Sequence, residues 1–156
     1  MITGVKIAPG AGVVVEEILL ASGNPSCLVT SVERTPKDQA RVMYANCEQF
    51  GGNHQLKLYK KPGQAVVTVF MAMQGSGATK ADILAAMENE ILHQGPERVS
   101  AHCRGPESPV WVIDIAPSSL KDFDKFIKEA EAHSKVKKVL KPPQDPAAHL
   151  EILKIG

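Results

Sequence analysis

Apolar positions along this chain recur with two different periods, and the changes between them predict its elements. Cys27-Leu28-Val29-Thr30-Ser31-Val32 has the composition of a strand, which must stop at Thr35-Pro36. There Thr35 suits a helix cap, Pro36 the first turn and Asp38 the positive end of the dipole. Ala40, Met43, Cys47 and Phe50 then follow at helical spacing until Gly51-Gly52 ends the run. A second helix begins at Thr79, turns Ile83, Leu84, Met87 and Ile91 to one side and closes at Gly95-Pro96. A third, capped by Ser118 or Ser119, carries the stripe Leu120, Phe123, Phe126, Ile127 and Ala130.

Residues 98–102, 110–115, 136–140 and 149–155 read as strands, and 65–70 has strand composition. Near the start, Pro9-Gly10-Ala11-Gly12 reads as a loop, and 13–21 as a strand or short helix, with helix favoured. Gly52-Asn53-His54 reads as a turn, Gly75-Ser76-Gly77 as a flexible break, and Pro142-Pro143-Gln144-Asp145-Pro146 as a rigid loop. There is no internal repeat and no regular βαβ alternation. The expected class is therefore α+β with a mostly antiparallel sheet, in a single domain over 1–156.

A chain of 156 residues can bury roughly 70% of the surface its unfolded form exposes, so it needs no disulfide staples. Eighteen basic and seventeen acidic side chains leave no electrostatic footprint for nucleic acid. No apolar run approaches the ~20 residues of a membrane span. Cys27, Cys47 and Cys103 are too dispersed for a metal knuckle and read as reduced thiols. The first residues lack the basic start and apolar core of a secretory signal, so the expectation is a product made in the cytoplasm.

Three residues then draw attention. His102 closes Val99-Ser100-Ala101-His102, Asp114 lies inside Val110-Trp111-Val112-Ile113-Asp114-Ile115, and His149 opens His149-Leu150-Glu151-Ile152-Leu153. An aspartate among so many β-formers is costly to bury unless something positive meets it. Two imidazoles and a carboxylate are a standard set for catalytic Zn2+, which keeps its fourth position for water. Strand alternation sets His149 and Glu151 on one face, and Asp114 can reach the same ion if its strand is a neighbour. Ser100 is placed to hydrogen-bond a ligand from outside the coordination sphere.

Ser100-Ala101-His102-Cys103-Arg104-Gly105, followed by Asp114 and by Asp145-Pro146-Ala147-Ala148-His149-Leu150-Glu151, resembles the M15 peptidases. These include the D-Ala-D-Ala carboxypeptidases and dipeptidases, phage endolysins and the fold-related hedgehog domain. Upstream, Ser31-Val32-Glu33-Arg34-Thr35-Pro36 is similar to the family's Ser-x-x-Arg-(Ser/Thr)-Pro, whose arginine faces substrate. The spacing between His102 and Asp114 is longer here, which implies an insertion in the loop after Arg104.

The resemblance implies a hedgehog/DD-peptidase-like fold with one zinc held by His102, Asp114 and His149. It implies hydrolysis of peptidoglycan stem peptides, with Arg34 binding the peptide and Asp145 or Glu151 as general base. Glu151 competes also as the third ligand. The protein would then act on the cell wall after release or delivery, as a phage or prophage endolysin does. The alternative is a catalytically inactive metal-binding domain of the same fold, with a structural or binding role in a phage particle.

Other features have plainer readings. His54, His93 and His133 read as solvated, the last in the final turn of a helix. Glu33 beside Arg34 reads as a surface ion pair of little energetic weight. Gly75-Ser76-Gly77 lacks the lysine of a phosphate-binding loop. Lys135-Val136-Lys137-Lys138 reads as a charged edge that discourages strand pairing.

Overall fold

The computed structural model describes residues 1–105 and 107–154. Pro106, in the loop after Arg104, and Ile155, the expected end of the last strand, lie outside the described residues. Among those described are seven α-helices and a mixed sheet of five strands, so the class is α+β. The chain forms two compact units, one of Met1–Glu33 with Ser108–Gly156 and one of Arg34–Glu107.

The first unit holds the sheet. Its strands are β1 (Ile2–Gly4), β2 (Cys27–Val32), β3 (Val110–Ile115), β4 (Val136–Leu140) and β5 (Ala148–Leu153), in the order β1-β2-β3-β5-β4. Within this sheet, among the described residues, β1 pairs with β2 in parallel and the other strand pairs are antiparallel. Helices α1 (Pro9–Ser22) and α7 (Phe123–Ala132) cover one face. Val14, Val15 and Ile18 from α1 and Phe126 and Ile127 from α7 meet Val29, Ile113, Ile115, Leu150 and Ile152 there. By strand alternation the residues between these, Val112, Asp114, His149 and Glu151, belong to the opposite face.

Two local details of this unit differ from expectation. The segment read as a loop at Pro9 is the first turn of α1, because the N–H that proline lacks has no intrahelical partner at a helix start. Ser118 and Ser119 lie in a 3-10 turn, Pro117–Ser119, and the cap of α7 is Asp122, which accepts from Lys125 N at 3.0 Å. Leu120 takes an extended backbone and is buried, so its apolar side chain serves the core without belonging to the helix.

The second unit is helical, built from α2 (Pro36–Phe50), α3 (Gly52–Leu56), α4 (Lys61–Gly75), α5 (Lys80–Gln94) and α6 (Pro96–Val99). The predicted caps are present: Thr35 accepts from Asp38 N at 3.1 Å and Thr79 from Asp82 N at 3.2 Å. Met43, Tyr44 and Cys47 pack with Val66, Val67 and Phe70 and with Ile83, Met87 and Ile91 in a second core.

Three expectations for this unit are corrected. Residues 65–70 are helical: Val66, Val67 and Phe70 share one buried face at helical spacing, and that burial outweighs the β-branched composition. Gly52-Asn53-His54 begins the short helix α3. Residues 98–102 are not a strand. Pro96 after Gly95 starts a helical turn instead, in which Val99 N donates to Gly95 O, and His102 follows on a turn.

Candidate functional site

The sheet brings four of the sequence-predicted residues together within the first unit. Asp114 on β3 and His149 on β5 are register partners, two pairs along from Val112 and Glu151 and so on the same face by strand alternation. His149 Nδ1 is 2.9 Å from Asp114 Oδ1, and His149 Nε2 is 3.2 Å from Glu151 Oε2. Asp145 reaches the same imidazole from the loop before β5, its Oδ2 3.9 Å from Nδ1. Three carboxylates thus surround one ring that is 1% exposed.

Two of these carboxylates are oriented by further hydrogen bonds. Ala147 N donates to Asp145 Oδ1 at 2.9 Å, an Asx turn that directs the other oxygen towards His149. Ser31 Oγ donates to Asp114 Oδ2 at 3.1 Å. Simple alternation would put Ser31 on the core face with Cys27 and Val29. The β2–β3 register instead steps two residues on β2 for one on β3 between Val29 and Ser31, and this bulge turns the hydroxyl to Asp114. Ser31 carried no sequence-derived role; its only signal was its place in the segment leading to Arg34.

The ring's charge follows from this surrounding. Burial alone would lower the His149 pKa, but the hydrogen bonds to Asp114 and Glu151, with their negative charges, outweigh it and hold the imidazole above its usual value. The site therefore favours a positive charge between His149 and the carboxylates. A proton or a metal cation can supply it.

The donor set suits a metal. Two ligands ~2.0–2.1 Å from one tetrahedral zinc lie ~3.3 Å apart, close to the separation of His149 Nδ1 and Asp114 Oδ1. An imidazole nitrogen and a carboxylate oxygen are both ordinary zinc ligands.

Arg34 and His102 belong to the second unit, where the backbone ties them together. Arg34 N donates to His102 O, Arg104 N donates to Arg34 O at 2.9 Å, and Arg34 forms a parallel bridge with Cys103. The Arg34 guanidinium donates to the buried Gln39 Oε1 at 3.4 Å. Ser100 Oγ accepts from His102 N at 3.4 Å, so the hydroxyl meets the backbone of the histidine. Cys103 is fully buried in the helical core, its thiol pushed up to about 11 by burial, which suits packing and not ligation. His133, read as solvated, pairs with Glu17 at 3.0 Å.

No family model, curated protein or solved structure matches this chain. No helix among the described residues is long and apolar enough to cross a membrane.

Proposed function

We propose that this protein is a zinc-dependent peptidase that cleaves peptidoglycan stem peptides, of the M15 type its motifs resemble. The observation that carries the reading is the register pair Asp114 and His149, whose donor atoms lie 2.9 Å apart with Asp145 beside them. His102, Asp114 and His149 are the proposed ligands, His102 being assigned by its motif. When bound, zinc would polarise the scissile carbonyl and lower the pKa of its water towards ~7.

The chain's own groups divide the remaining work. Asp145 lies on the same edge of the imidazole as Asp114, where it can take a proton from water and return it to the leaving amine. Glu151 lies on the opposite edge, so Asp145 is the proposed general base. Arg34 presents a planar fork suited to a peptide carboxylate or carbonyl. The test is amine release from purified cell walls, with and without chelator, beside a His149→Ala control. Chelator-sensitive release that the control lacks is expected; walls left intact by metal-loaded protein would refute the peptidase.

One observation favours a second reading. Both nitrogens of His149 already meet carboxylates, so the cluster is satisfied without turnover. A catalytically inactive domain of structural or binding role accounts for that, and stoichiometric zinc without wall hydrolysis would select it.

A further inference from the structure

His149 and Glu151 are two residues apart on β5 and point the same way, and Glu151 Oε2 meets the ring nitrogen facing away from Asp114. Glu151 is only 12% exposed, so its carboxylate is held in place and poorly screened by water. A neutral imidazole carries one N–H and one lone pair, and the partner of one nitrogen decides which is which. Carboxylates face both nitrogens, so a cation that takes one leaves the proton on the other; with Asp114 and Asp145 both at the Nδ1 edge, that edge suits the cation, and Glu151 keeps the proton on Nε2. The lone pair is then left on Nδ1, facing Asp114 Oδ1 at 2.9 Å and Asp145 Oδ2 at 3.9 Å. Two acceptors at the shorter distance repel each other unless a proton or a metal cation lies between them.

We propose that Glu151 is a positioning residue: by accepting from Nε2–H it fixes the His149 tautomer that turns Nδ1 into a metal ligand. The inference rests on the metal reading above and deepens it, because it gives Glu151 a task that is neither ligation nor general base. Glutamine at this position keeps an acceptor oxygen for Nε2–H, whereas alanine removes it. The affected quantity is metal affinity, since partners of this kind are worth about 10–100-fold in binding.

Zinc affinity of the full chain, measured by competition with a chromophoric chelator, tests the assignment. Glu151→Ala is expected to bind about 10–100-fold more weakly, and Glu151→Gln to recover most of that loss. Equal affinity in Glu151→Ala and the parent protein overturns the positioning role while leaving the metal site standing. A parent protein that binds no zinc, or binds it unchanged after His149→Ala and Asp114→Asn, removes the metal reading and this inference with it. Nitrogen NMR of the zinc-loaded parent protein decides the matter without any variant, should Glu151→Ala fail to fold. A His149 proton on Nε2 is expected there, and a proton on Nδ1 overturns the proposal.

Discussion

His149 Nδ1 and Asp114 Oδ1 stand 2.9 Å apart across a register pair of β3 and β5, with the ring almost wholly withdrawn from solvent. A buried carboxylate without a positive partner is expensive, so each of these residues depends on the other or on a shared ion. Removing either should therefore affect metal binding and stability together. His149→Ala and Asp114→Asn are each expected to abolish stoichiometric zinc, and His149→Ala to cost about 3–5 kcal/mol by stranding a buried charge. His102→Ala is expected to lose zinc with little change in stability. Elemental analysis beside thermal unfolding separates the effects, and full zinc occupancy in any variant removes that residue from the ligand set.

The raised His149 pKa gives the metal-free protein a distinct pH dependence. The folded state binds this proton more tightly than the unfolded chain, so the stabilisation is complete below the ordinary imidazole value of ~6.5. It is lost as pH rises through the higher folded value. Metal-free protein should thus become less stable as pH climbs above ~6.5, and His149→Gln should lack that decline. Zinc affinity should run the other way, rising with pH because the ion displaces the ring proton. Unfolding curves at several pH values check the first trend and chelator competition the second; a metal-free stability that rises over this interval for the parent alone would contradict the assignment.

How much of this was legible in the sequence depends on how local each feature is. Thr35, Thr79, the Ile83-Met87-Ile91 face and the strands around Val29 and Ile113 follow from neighbours within a few residues, and the structure contains them. The common face of His149 and Glu151 is equally local, since it needs only strand alternation. Val66 and Val67 misled because their helix is fixed by a core that residues far along the chain complete. Residues 98–102 misled because an isolated apolar run does not say whether a partner strand exists, and here Pro96 starts a helical turn first. The register of Asp114 with His149 depends on sheet order, and the bulge that aims Ser31 depends on the β2–β3 pairing, so neither can be read from one segment.

Two glycines in one helix give a paired test of packing around the sheet. A Cβ on Gly10 would lie 2.4 Å from Trp111 Cη2, whereas one on Gly12 would meet nothing nearer than Ile7 Cδ1 at 4.0 Å. Alanine ordinarily stabilises a helix by about 1 kcal/mol over glycine, so propensity favours both substitutions equally. Gly12→Ala should therefore gain about 0.5–1 kcal/mol, while Gly10→Ala should lose about 1–3 kcal/mol by displacing the indole. Urea unfolding followed by Trp111 fluorescence reports both, the indole being the chain's single tryptophan. Equal gains would mean that Trp111 moves aside freely.

Asp145 and Glu151 flank the same imidazole from opposite edges, and this difference separates chemistry from metal binding. Asp145 Oδ2 is 3.9 Å from His149 Nδ1, too far for a hydrogen bond to the ring and on the side where Asp114 also stands. Its Oδ1 is occupied by Ala147 N, so the Asx turn holds the free edge of the carboxylate in place. Replacing this residue by asparagine preserves that turn while removing the group able to take a proton. Asp145→Asn should bind zinc as the parent does and lower wall hydrolysis about 10²–10⁴-fold, the usual worth of a general base. Glu151→Gln should keep most of the zinc affinity and most of the hydrolysis, because an amide oxygen still accepts from Nε2–H. The decisive measurement is amine release at matched zinc occupancy. If Asp145→Asn stays active and Glu151→Gln is dead with its zinc intact, the proton acceptor is Glu151 and the two roles must be exchanged.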